Sequence, residues 1–117
     1  MSLPGSPRTE RMEKIYQVDK QIGQTMPLKD EPTIQEYNHW RIIENRYPGD
    51  LILSKHDMLL PKREAKLEDL TATELMELPQ ILKELEEEYH LVMWNFPPRQ
   101  TKPGHFHVHL ARYKKRS

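Results

Sequence analysis

The sequence predicts an α+β domain in which an antiparallel β-sheet carries one long helix packed on it. Three observations predict this class. The apolar and turn-forming residues set the order strand, strand, helix, strand, strand. A capping box opens a run of leucines at three- and four-residue steps. Near the C-terminus, apolar residues alternate strictly with histidines, which is a strand period.

Residues 8–35 are polar with scattered apolar positions. Met12, Ile15, Tyr16 and Ile22 have the spacing of one short amphipathic helix. Between Met26 and Thr33, Pro27 and Pro32 predict an extended linker. This gives an N-terminal polar arm, 1–35, followed by a compact domain, 36–117. Tyr37 to Ile43 is aromatic and β-branched and predicts a strand, and "ENRYPGD" turns the chain after it. A second strand covers about Leu51 to Leu60, with Pro61 ending its pairing. In "DLTATEL", Thr71 and Glu74 stand at the spacing of a capping box. Leu75, Leu78, Leu82, Leu85 and Tyr89 then predict an apolar stripe on a helix reaching about Tyr89, kinked or restarted at Pro79. "HLVMWNF" (90–96) is the next strand, 97–104 a Pro-rich loop, and "HFHVHLARY" (105–113) the last strand, paired with its predecessor.

Composition narrows the function. Eighteen basic residues balance eighteen acidic ones, so no net field would hold a polyanion, and nucleic acid is not expected as the main partner. There is no cysteine, which excludes thiol nucleophiles, thiolate metal sites and disulfides, and suits the cytoplasm. No apolar run approaches the roughly 20 residues of a membrane helix, and Met1 to Pro7 lacks the apolar segment of a signal peptide. An apolar share of 36% is lean for 117 residues, so a homodimer that covers part of the surface is expected.

The stretch "PGHFHVHL" (103–110) carries the chemistry. On a strand, His105, His107 and His109 share one face while Phe106, Val108 and Leu110 share the other. The apolar face packs on the helix, and the imidazoles line a polar surface. Such a row could bind a metal or attack a phosphate. A metal site needs three or four converging ligands, usually with a carboxylate, and no acidic residue follows His109. Neutral imidazole can act as a nucleophile while its neighbours donate hydrogen bonds, so phosphate chemistry suits the row better.

These residues resemble the histidine triad superfamily of nucleotidyl hydrolases and transferases. "HFHVHLA" is similar to its H-x-H-x-H signature, and "KHDMLLPKREAKLEDLTATEL" (55–75) to its central block, with His56, Pro61, Lys62, Leu67, Asp69, Leu70 and Thr71 in place. "WRIIENRYPGD" resembles the preceding strand and nucleotide loop, and "HLVMWN" the strand before the triad. The likeness spans about residues 36–113. It departs from the pattern in the loop after Asn95, where the usual Gly-Gln-Ser/Thr element survives only as Gln100–Thr101, and in Ala111–Arg112, which stands where Pro-Arg often follows the triad.

The resemblance implies that His107 is the nucleophile at an α-phosphorus and forms a nucleotidyl-histidine intermediate. It implies that His105 and His109 donate to the phosphate oxygens and that His56 completes the cluster. Asn45, Asn95, Gln100 and Thr101 become the nucleotide-binding candidates. The expected activity is that of a nucleotide hydrolase or nucleotidyltransferase acting on a nucleoside phosphoramidate, phosphoester or dinucleoside polyphosphate. No cofactor and no metal are required, and the enzyme is expected as a cytoplasmic homodimer with a nucleotide substrate. Two other readings remain open: a nucleotide-binding regulatory protein of low activity, and a metal-binding histidine cluster.

Overall fold

The structure, a computed structural model, describes residues 8–23, 25–96 and 104–115. Helix α1 spans Glu10–Gln21, with the Thr9 hydroxyl capping it by accepting from the Met12 amide. It stops at Gly23, whose φ of 72° lies in the left-handed region that favours glycine.

Five strands follow among the described residues: β1 (Thr33–Glu36), β2 (Trp40–Glu44), β3 (Leu53–Pro61), β4 (Leu91–Met93) and β5 (Val108–Tyr113). Helix α2, Ala72–Leu85, lies between β3 and β4 in the chain. All strand pairs are antiparallel, in the order β1-β2-β3-β5-β4. The first three strands are joined as a meander. The connection through α2 carries the chain to the far edge, and β5 returns into the gap between β3 and β4. That insertion makes the histidine-bearing strand internal, with a neighbour on each side.

Strand β1 lies partly within the stretch read as a linker. Its four residues are all exposed, so no alternation of apolar side chains announces it. What holds the segment is Arg41 on β2, a buried guanidinium that donates to the carbonyls of Glu31 and Leu28, each at 2.7 Å, and to the Thr33 hydroxyl.

The core lies between one face of the sheet and α2. Trp40 and Ile42 of β2, Leu59 of β3, Phe106, Val108 and Leu110 pack there against Ile81, Leu85 and Tyr89. The Trp40 indole donates to the Glu74 carbonyl at 2.8 Å, tying β2 to the first turn of α2. The expected leucine stripe holds except at its start. Leu78, Leu82, Leu85 and Tyr89 pack at the core and Ile81 is fully buried, but Leu75 is 42% exposed. The helix contacts the sheet along Leu78, Ile81, Leu82 and Leu85, which keeps the three- and four-residue steps and adds Ile81 to the buried face. No restart occurs at Pro79, because α2 runs unbroken from Ala72 to Leu85, and Tyr89 follows beyond its end.

The capping box is present as predicted. Thr71 accepts from the Glu74 amide at 3.2 Å, and Glu74 accepts from the Thr71 amide at 2.8 Å. Arg63 also holds that carboxylate, at 2.7 Å; together with the Thr71 amide it brings the Glu74 acid down to about 2.

Candidate active site

The opposite face of the sheet carries the histidines. The register pairs Met58 with His109 and His56 with Ala111, so β3 and β5 bring His56 and His109 onto one surface from positions 53 residues apart in the chain. The ladder of β5 begins at Val108, so His105 and His107 precede it rather than lying within it. They keep the alternation: Phe106 reaches the core, and its amide is held by the Ala65 carbonyl at 2.7 Å. The expected polar surface is in fact a packed one, because His56, His105 and His107 are all buried and His109 is half-buried.

Hydrogen bonds decide which ring nitrogen of each histidine carries the proton. The Gly49 amide donates to His56 Nδ1 at 2.8 Å, so that nitrogen offers its lone pair. A neutral His56 must then be protonated at Nε2, which lies 2.8 Å from His109 Nδ1 and donates to it. His109 in turn is protonated at Nε2. A directed relay results, from the Gly49 amide through two imidazoles to the His109 Nε2–H. His107 has the opposite tautomer: its Nδ1–H donates to the His105 carbonyl at 2.8 Å, leaving an Nε2 lone pair. Its ring centroid is 5.5 Å from that of His109. His105 is tied down by the Pro61 carbonyl, to which its Nε2 donates at 3.0 Å.

Burial disfavours the charged form of His56, His107 and His109. Desolvation, with a smaller push from the positive charge of Arg8, lowers His56 to about 4. Burial and then the neighbouring imidazoles His56 and His107 lower His109 to about 3, with Arg8 adding to the effect. Burial also lowers His107, against the opposing pull of its bond to the His105 carbonyl. At neutral pH the relay and the His107 lone pair are therefore both intact.

The structure matches the solved structure of a histidine triad protein from Clostridium difficile with a TM-score of 0.50, at 20% identity, over 93% of this chain and 96% of that one. The fold is the histidine triad fold. No protein-family model matches the chain, and no curated protein matches it.

On this histidine triad fold, His56, His105, His107 and His109 gather as one cluster. Asn45 joins them. Its Nδ2 lies 3.2 Å from His56 Nε2 and 3.5 Å from Nδ1, and such similar distances set the amide against the ring rather than in line with either nitrogen. Its Oδ1 accepts from the Tyr47 amide at 2.9 Å, the Asx-turn bond that an Asn in "ENRYPGD" favours. Asn45 and His56 also border a cleft with Pro48, Ser54 and Lys55. Asn95 is exposed just beyond β4. Gln100 and Thr101 lie outside the described residues.

Two parts of the site were not among the sequence candidates: the Gly49 amide, which sets the His56 tautomer, and the Pro61 carbonyl, which anchors His105. The only sequence signals for them were turn-forming Pro-Gly and a strand-ending proline, since a backbone group leaves no trace in residue identity. Among the described residues, no three His, Asp or Glu side chains converge as metal ligands. No helix among them is long and apolar enough to cross a membrane.

Proposed function

We propose that the protein is a nucleotide hydrolase or nucleotidyltransferase that works through a covalent intermediate on His107. The observation that carries this reading is the bond from His107 Nδ1–H to the His105 carbonyl, which leaves a neutral Nε2 lone pair beside the His56–His109 relay.

In this reaction Nε2 attacks the α-phosphorus of a nucleoside phosphoramidate or polyphosphate. A P–N bond to His107 forms, and the bond to the leaving group breaks. The ring becomes an imidazolium whose Nδ1–H faces the His105 carbonyl, so the new positive charge meets an acceptor already in place. The His109 Nε2–H, the end of the relay, donates to a phosphate oxygen or to the departing group. Water then attacks phosphorus and passes a proton back to His109 Nε2 where the leaving group took one, the P–N bond breaks to restore neutral His107, and the nucleotide leaves; a second phosphate in place of water makes the reaction a transfer. His105 acts through its carbonyl, which holds His107, and its Nε2 is engaged by the Pro61 carbonyl. Asn45, which borders the cleft, takes the ribose in this reading.

The test is incubation with adenosine phosphoramidate and with a diadenosine polyphosphate, with and without chelator, for the native protein and His107→Ala. Turnover should survive chelator, disappear in the variant, and leave a one-nucleotide mass increase on His107 in quenched protein. Chelator-sensitive turnover would overturn the reading in favour of a metal site. Nucleotide-induced thermal stabilisation without turnover would overturn it in favour of a binding protein.

A further inference from the structure

We propose that helix α1 is a positioning element for the reactive histidines, acting through the loop 45–50 that it clamps against His56. The proposal rests on the reading of the histidines as the reacting groups and adds a part of the chain outside the triad to the site.

The connection can be followed bond by bond. At the start of α1, the Thr9 amide donates to Asp50 Oδ1 at 2.8 Å and the Thr9 hydroxyl to Oδ2 at 3.0 Å. Arg8 Nε donates to the Tyr47 carbonyl at 2.8 Å, and its guanidinium pairs with Glu13 at 3.0 Å. Farther along α1, the Tyr47 hydroxyl donates to Asp19 at 2.9 Å, and the Tyr16 and Tyr47 rings meet edge to face at 4.9 Å. Gly49, between Tyr47 and Asp50, is thus held from both sides. Its own amide points at His56 Nδ1, and its carbonyl accepts from the Leu53 amide at 3.1 Å.

This arrangement matters because the relay has a direction only while Nδ1 of His56 accepts. Without the Gly49 amide, neutral His56 is free to carry its proton on either nitrogen. In the other tautomer Nε2 has no hydrogen to give, and His109 keeps the bond only by carrying its proton on Nδ1, which takes the hydrogen away from its own Nε2. A loop of six residues rich in turn formers does not hold one amide in place by itself; α1 supplies side-chain and backbone anchors on either side of it. Asp50 is therefore a positioning residue that never needs to touch substrate.

The charged and titratable groups around His56 bear on the readout. Arg8 approaches from the start of α1, His109 from β5, and Glu44, Lys55 and Asp57 line the cleft beside it. Asp50→Ala leaves all of these in place and also keeps the helix cap, because the Thr9 hydroxyl still accepts from the Met12 amide.

The experiment is nitrogen-15 NMR of the histidine rings in the full chain, which needs no substrate and so stands apart from the test of nucleotidyl transfer. In the native protein His56 and His109 should be Nε2-protonated and His107 Nδ1-protonated. In Asp50→Ala, His56 should become a mixture of tautomers and its titration should move up as the donor to its neutral form is lost, while His107, held by the His105 carbonyl, stays as it was. Asp50→Asn, which can still accept from the Thr9 amide, should restore most of the native pattern. Tyr47→Phe, a milder change that frees only the phenol from Asp19, should move the His56 signals the same way by less. Where turnover is measurable, its pH optimum should rise in Asp50→Ala. Unchanged His56 tautomer and titration in both Asp50→Ala and Tyr47→Phe would overturn the proposal and leave α1 as cover alone.

Discussion

Lowering the pH from about 7 to about 5 should destabilise the fold through its imidazoles before most carboxylates take up protons. His56 has a folded value of about 4 against an ordinary value of 6.5. Between these two values the unfolded chain binds more protons than the folded one, so stability is full above the upper value and falls as the pH drops. Integrating that difference from pH 7 to pH 5 gives a loss of about 2 kcal/mol for His56 alone. His109 is lowered further, to about 3, but it shares a hydrogen bond with His56. The two therefore titrate as a pair, and their joint loss is on the order of 2–4 kcal/mol. That is a large part of the ~5–15 kcal/mol that stabilises an ordinary domain. Glu74 stays ionised throughout this window, since its acid lies at about 2. The assay is urea unfolding followed by circular dichroism at several pH values. His56→Asn, whose side-chain oxygen can accept from the Gly49 amide without titrating, should flatten the slope. A native free energy that is constant from pH 7 to pH 5, or a slope unchanged in His56→Asn, would refute the reasoning.

Two further outcomes follow from the packing. Tyr89 donates to the buried Asp57 carboxylate, and burial, followed by that carboxylate, raises the phenol well above its usual range. Tyr89→Phe should therefore cost roughly 1–3 kcal/mol in unfolding free energy, because a buried acceptor loses its donor while the ring still fills the core. Asp57→Asn, measured alone and in the double variant, would show whether the loss comes from that pair. Thr71→Ala removes half of the capping box and should cost about 1 kcal/mol, read as a lower thermal midpoint, whereas Thr71→Ser should be nearly silent.

The elements with a side-chain signature were legible in the sequence. The capping box at Thr71 and Glu74, the alternation from His105 to Leu110 and the pairing of the last two strands all appear where local pattern places them. Strand β1 escaped because its residues are exposed on both faces and its anchor, Arg41 on the next strand, is a polar side chain rather than an apolar one. The leucine stripe holds at Leu78, Leu82, Leu85 and Tyr89 and fails at Leu75. Periodicity fixes the spacing of a buried face, but its extent depends on the sheet the helix meets, which here covers Ile81 and leaves Leu75 exposed.

The same division holds at the candidate site. Residue types and their spacing were enough to name an α+β fold and a histidine row with an apolar underside, and the resemblance to the histidine triad superfamily added His56 as a distant fourth member. They could not assign protons. Which nitrogen of His56, His107 or His109 carries hydrogen depends on the Gly49 amide, the His105 carbonyl and a bond between side chains 53 positions apart. Backbone groups are the same in every residue, so their part in the site arises only when the chain has closed: β5 inserted beside β3, and α1 laid against the loop that presents Gly49.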